Sequence, residues 1–176
     1  MELSKKQKTM KYFCYCLMIL LADLLQNTGG LFPQVFGARC FLLLPLAIIL
    51  SMGEDIIASA FMGLFAGLLW DMSGAVHLGF NCIFIAVVCF LSSALVTYIV
   101  RDTFITNMIC AALVIILYCF LYWLFFIVIK GVDGGETTLF SFYIPCAIYT
   151  LILTPVIWLI MKPVKAKLNF VKSQEF

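Results

Sequence analysis

Two long stretches without a charged residue, 78–100 and 104–129, limit what this chain can fold into. Each exceeds the ~20 residues that an α-helix needs to cross the hydrocarbon core of a bilayer. The whole chain has 65% hydrophobic and 11% charged residues, whereas soluble domains carry about 25% charged residues. The sequence therefore predicts an all-α integral membrane protein with a single transmembrane domain that occupies residues 1–176.

Apolar runs predict six transmembrane helices. They cover about residues 12–27, 35–52, 56–71, 78–100, 104–129 and 139–161. The second run is the weakest because it contains Pro45, and it approaches ~20 residues only if Arg39 snorkels from a helix that begins at Val35. The first run follows several lysines, as in a signal peptide, but Asp23 and Asn27 stand where small residues would precede a cleavage site. We expect it to be retained as the first helix.

The distribution of basic residues predicts that both termini are cytoplasmic. This orientation places nine Lys and Arg residues inside and leaves only Arg39 and Lys130 outside. Cytoplasmic ends of membrane helices carry such an excess of basic residues. The nine are Lys5, Lys6, Lys8, Lys11, Arg101, Lys162, Lys165, Lys167 and Lys172. We interpret them as determinants of topology beside anionic lipids, so membrane lipids are expected partners and nucleic acid is not.

A ridge of small residues marks the third helix. Ser59, Gly63, Gly67 and Asp71 follow one another at steps of four and so lie along one side of a helix. Small residues allow another helix to approach closely, which is a main source of association energy in lipid. We therefore predict that Ser59, Gly63 and Gly67, together with Gly79 at the start of the fourth helix, form a helix-packing or partner interface.

Polar residues gather at the predicted outer ends of three helices. Asp23 ends the first, Asp71 ends the third, and His77 and Asn81 begin the fourth. They form either an outward-facing pocket for a small molecule or a hydrogen-bonded network that fixes the helices. We favour the network, since polar groups are costly to leave without partners in lipid.

No catalytic, cofactor-binding or metal-binding site is predicted. The chain has one histidine and lacks the motifs of serine hydrolases, zinc proteases and phosphate-binding loops. Its eight cysteines all lie in apolar runs, where cysteine behaves as a small hydrophobic residue. We expect a protein that is not an enzyme.

The segment from Gly63 to Asn81 resembles the MreD family of rod shape-determining proteins. It reads Gly-x-x-x-Gly-Leu-Leu-Trp-Asp, then Ser-Gly, then Leu-Gly-x-Asn. The resemblance implies a six-helix fold similar to the substrate-binding subunits of energy-coupling-factor transporters. It also implies a non-enzymatic, multi-pass component of the bacterial plasma membrane that acts in peptidoglycan synthesis. Its partners would be an MreC-type shape protein and the wall-elongation synthases, in a homo-oligomer or a larger complex.

The likeness in fold leaves an alternative function open. In a substrate-binding subunit of an energy-coupling-factor transporter, the outer polar residues would hold a vitamin. Such a pocket needs several well-placed polar groups, and few are available beyond Asp23, Asn27, Asp71, His77 and Asn81. An ion-coupled transporter is disfavoured because the sequence has no internal repeat.

Overall fold

The computed structural model describes residues 5–28, 40–74, 79–131 and 138–170, and these residues contain helices and no β-strand. The helices are α1 (Lys5–Asn27), α2 (Leu43–Ser51), α3 (Ile56–Gly74), α4 (Phe80–Tyr98), α5 (Phe104–Trp123) and α6 (Ile144–Phe170). A π-helical segment, Leu124–Val128, extends α5, and another, Leu139–Tyr143, precedes α6. The predicted all-α fold is therefore confirmed for this part of the chain.

All of these helices except α2 have the length and composition of membrane spans. Five helices among the described residues are long and apolar enough to cross a bilayer. The chain is accordingly a multi-pass helical membrane protein by these criteria. A sixth crossing and the cytoplasmic position of the termini stay predictions.

The second helix is shorter than predicted. It begins at Leu43 rather than near residue 35, and residues 40–42 precede it outside the helix. Residues 35–39 lie outside the described part. Pro45 accounts for the late start. A proline inside a helix clashes with the carbonyl group four residues before it, whereas the first turn of a helix tolerates it. A helix that ran on through residue 41 would place Pro45 in its interior.

Helix α2 forms the centre of the bundle. All nine of its residues are buried, and it contacts each of the other five helices. A helix that is apolar on all sides is typical of a buried position. At ~1.5 Å per residue α2 is ~14 Å long, about half of the ~30 Å hydrocarbon core.

The outer boundaries of the bundle also differ from the predicted ones. Helix α1 begins seven residues before the predicted start at residue 12, and α6 ends nine residues after the predicted end at residue 161. Both extensions run into the lysine-containing tails, because lysine, glutamine and alanine favour helix. Helix α3 is three residues longer than predicted, and α4 is two residues shorter at each end.

The connection between α2 and α3 joins the start of α1 to the end of α6. The Lys11 ammonium lies 2.6 Å from a carboxylate oxygen of Glu54. The Lys165 ammonium donates to the carbonyl oxygens of Ile49 and Met52, at 2.9 and 2.7 Å. A cation is favourable there because the last carbonyl groups of α2 lack helical partners. The lysine-rich ends of α1 and α6 therefore lie at the same end of the bundle.

Candidate functional site

Gly63 and Gly67 lie in the contact between α3 and α4. A Cβ atom at Gly63 would come within 2.7 Å of the carbonyl oxygen of Ile85. One at Gly67 would come within 2.5 Å of the carbonyl oxygen of Asn81, and closer still to Cα of Cys82. Real Cβ atoms do not approach backbone atoms so closely, so only glycine permits this packing. These two glycines of the predicted ridge therefore face the next helix of the same chain.

The other members of the predicted interface contact different parts of the bundle. The Ser59 hydroxyl is buried and donates to the carbonyl oxygen of Ser51 at 3.0 Å, which ties α3 to the end of α2. Gly79 is the N-cap residue of α4 and has a φ of +94°, a conformation that glycine adopts without steric cost. Its amide points to the last member of the ridge, Asp71.

The carboxylate of Asp71 caps α4 from α3. One oxygen, Oδ2, accepts hydrogen bonds from the backbone amides of Gly79 at 2.9 Å and Cys82 at 3.1 Å. The first amides of a helix lack helical acceptors and carry partial positive charge, so a carboxylate is favourable there. An N-cap side chain normally comes from the residue that precedes the helix. Here it comes from the neighbouring helix and joins the end of α3 to the start of α4.

The second oxygen of Asp71 has no hydrogen-bond donor among the described residues. The side chain is only 6% exposed, and Oδ1 is buried without a partner. No Lys or Arg of the described part forms an ion pair with Asp71. A buried carboxylate oxygen is costly to leave without a hydrogen-bond donor. Oδ1 therefore has the capacity to accept a hydrogen bond from a further donor.

Asp23 uses both of its carboxylate oxygens within the bundle. Oδ1 accepts from the side-chain amide of Asn27 at 3.0 Å, and Oδ2 accepts from the Ser73 hydroxyl at 2.6 Å. The bond to Ser73 joins the end of α1 to the end of α3. Asp23 is therefore engaged by neutral donors on its own helix and on the neighbouring one.

Asn81 joins α4 to α5. Its side-chain oxygen accepts a hydrogen bond from the Tyr118 hydroxyl at 2.8 Å, and both residues are buried. The Tyr118 ring stacks on Trp70 at 5.3 Å between centroids, and Phe41 lies 5.6 Å from Trp70. Polar bonds and aromatic packing thus occupy the same layer of the bundle.

The structure therefore gives each described residue of the predicted polar group its own partners, most of which sequence reasoning missed. Asp23, Asp71 and Asn81 bond to Ser73, to backbone amides and to Tyr118, whereas His77 lies outside the described residues. Two further links were also missed: Gln26 accepts from the Leu43 amide at 2.9 Å, and Thr150 accepts from the Phe41 amide at 3.1 Å. Their only sequence signal is that they are polar residues next to or inside apolar runs.

The described residues contain no group of three or more His, Cys, Asp or Glu side chains that could hold a metal ion. All eight cysteines lie in the described part, and none forms a disulfide. Comparison of the chain with protein families, with curated proteins and with solved structures gives no match. The site is therefore interpreted from its geometry and from the sequence resemblance.

Proposed function

We propose that this protein is a membrane scaffold of the bacterial wall-elongation machinery, of the kind that the MreD resemblance implies. It resides in the plasma membrane with both termini in the cytoplasm. It acts without catalytic residues, and it maintains rod shape by binding an MreC-type protein and wall-elongation synthases. The partners and the location rest on the resemblance.

One observation carries the proposal: the residues of the resembling segment hold helices together. Gly63 and Gly67 contact the backbone of α4, Asp71 caps α4, and Asn81 bonds to Tyr118 on α5. A scaffold needs a bundle of fixed shape that presents the same lipid-facing surface to its partners. Residues that lock neighbouring helices provide that shape, and this use of the segment supports a structural rather than a catalytic role.

The first test is purification of the tagged, full-length protein from its host in mild detergent, with bound proteins identified by mass spectrometry. We expect an externally folded MreC-type protein and wall synthases to copurify. We also expect depletion of the protein to convert rod-shaped cells to round ones. An unrelated multi-pass protein with the same tag serves as the control. Recovery of ATPase subunits with a hydrophobic coupling protein, and unchanged cell shape, would contradict the proposal.

The alternative function is a substrate-binding membrane subunit of an energy-coupling-factor vitamin transporter. The buried Oδ1 atom of Asp71 favours it, because an acceptor without a donor could bind a polar group of a ligand. The aromatic rings of Phe41, Trp70 and Tyr118 lie nearby, but they already pack on one another. The scaffold therefore remains the favoured proposal.

Substitutions of Asp71 distinguish a capping role from a ligand-binding role. Asp71→Asn keeps an oxygen that can accept from Gly79 and Cys82, so we expect normal folding and normal recovery of partners. Asp71→Leu removes the acceptor, which costs ~0.5–2 kcal/mol for a lost cap and leaves two part-buried amides without this partner. The readouts are the melting temperature in detergent and the amount of copurified partner. An Asp71→Asn protein that melts like the wild type yet loses its function would show that the charge itself binds a ligand.

A further inference from the structure

An open groove separates α4 from α5 at the lysine-rich end of the bundle. It has a volume of about 370 Å³, which is within the ~300–1,000 Å³ range of small-molecule sites. Leu91, Leu95 and Ile99 line it from the α4 side, and Cys110, Leu113 and Val114 line it from α5. The surface is apolar apart from Ser92 and Tyr98.

The groove exists because α4 and α5 make few direct contacts. The Tyr118 ring contacts Phe84 at 5.4 Å between centroids, and its hydroxyl bonds to Asn81. Residues 99–103 connect the two helices at the other end. The lining residues lie between these points, and in a membrane such a gap must be filled by apolar atoms to keep van der Waals contact.

An exposed cation follows the last α4 residue of the groove along the chain. Arg101 follows two residues after Ile99 and is exposed. The neighbouring carboxylate, Asp102, is engaged by the Asn107 amide at 2.6 Å and by the Lys165 ammonium at 3.2 Å. Among the described residues no carboxylate pairs with Arg101. A guanidinium group binds phosphate through two parallel hydrogen bonds, so Arg101 suits an anionic group.

The dimensions of the groove fit a lipid. From Leu91 to Ile99 it follows nine residues of α4 and its C-cap. The eight steps between them span ~12 Å, close to the ~15 Å thickness of one leaflet of the hydrocarbon core. Tyr98, which is 77% exposed at the rim, is of the residue type enriched at the membrane interface. A partner helix that crosses the ~30 Å core is more than twice as long as the groove, and it gives no reason for an exposed cation directly after the groove residues of α4.

We propose that this groove binds one anionic phospholipid, with its phosphate on Arg101 and one acyl chain between α4 and α5. Basic residues beside transmembrane helices bind anionic lipid headgroups on the cytoplasmic side of membranes. This site is separate from the polar network around Asp71, and its occupancy does not depend on the proposed scaffold function.

The test is native mass spectrometry of the full-length protein released from nanodiscs that contain equal amounts of phosphatidylglycerol and phosphatidylethanolamine. We expect the wild type to retain one phosphatidylglycerol molecule in preference to phosphatidylethanolamine. Arg101→Gln should reduce that preference about fivefold, as expected for one basic residue near an anionic surface. Lys130→Gln is the matched control and should behave like the wild type. Lys130 is also an exposed cation, but it follows α5 and is distant from the groove in sequence.

A second variant tests the groove itself. Ala94→Trp places a large ring among the lining residues and should reduce retention of both lipids, while size-exclusion chromatography checks that the variant is folded. Equal retention of both lipids by the wild type, or an unchanged preference in Arg101→Gln, would overturn the proposal. The proposal would also be overturned if the groove held no lipid and a copurified protein cross-linked to reactive groups introduced at positions 91 and 113.

Discussion

Replacement of Gly67 by leucine is expected to prevent the chain from forming a stable bundle. Helices α3 and α4 share the most extensive helix contact of the described residues, and Gly67 lies where their backbones are closest. Even a Cβ atom there would lie 2.5 Å from the carbonyl oxygen of Asn81. The obstacle is backbone rather than a flexible side chain, so the helices must separate. Separation also removes the hydrogen bonds of Asp71 to Gly79 and Cys82.

A graded series makes this expectation measurable. Gly67→Ala should cost about 1–3 kcal/mol, the usual range for an overpacked core, and Gly67→Leu should cost more because the rest of the side chain has no space. Leu68→Phe is the control, since Leu68 is the next residue and is 44% exposed. Fluorescence-detected size exclusion and melting temperature in mild detergent are the readouts. A Gly67→Leu protein that is monodisperse and melts like the wild type would contradict the packing account.

The position of these glycines could be predicted from the sequence, but their neighbour could not. A step of four residues defines one side of a helix, and that side does pack against backbone atoms. Periodicity does not say whether the partner is another protein or another helix of the same chain. In the structure Gly63 and Gly67, which belong to α3, pack against the backbone of α4. These two residues are therefore unavailable to an external partner.

The second helix shows the limit of hydropathy. Its residues from Leu43 to Leu50 are uniformly apolar, so they indicate burial but no preferred face. A short helix inside a bundle and the end of a membrane span look alike in such a run. The requirement for ~20 residues led to the prediction of a helix from residue 35, whereas the structure surrounds nine residues with other helices.

The polar residues at these helix ends could be recognised in the sequence, but their hydrogen-bond partners could not. Asp23, Asp71 and Asn81 are recognisable because polar side chains are rare in apolar runs. Both donors to Asp71 found in the described part are backbone amides, and backbone amides carry no signal in a sequence. Their position depends on the conformation of Gly79, which only the folded turn defines.

Lys11 illustrates the same limit for charge. The count of basic residues assigns it to a tail that determines topology, yet its side chain is only 7% exposed and its ammonium contacts Glu54, which is 4% exposed. Glu54 also accepts from the Tyr15 hydroxyl at 3.0 Å, and its carbonyl oxygen accepts from Ser93 at 2.8 Å. This buried group joins α1, α4 and the connection between α2 and α3.

Loss of one charge from this pair is expected to destabilise the protein strongly. Glu54→Gln keeps an acceptor for Tyr15 but leaves Lys11 without its carboxylate, and removal of one partner from a buried ion pair costs about 3–5 kcal/mol. For a chain of this size, that corresponds to a fall in melting temperature on the order of 10 °C. Asp102→Asn, which weakens the more exposed pair with Lys165 at the same end of the bundle, should cost ~1 kcal/mol or less.

A double-mutant cycle separates the cost of an isolated charge from the value of the pair. Lys11→Met and Glu54→Gln should each lower the melting temperature, and the combination should lower it by less than the sum of the two, since no lone charge remains buried. Additive losses would mean that the two side chains act independently and that the contact contributes little. A coupling between them would establish that the positive charge of Lys11 acts within the fold, as a tie between α1 and the start of α3, as well as at the membrane surface.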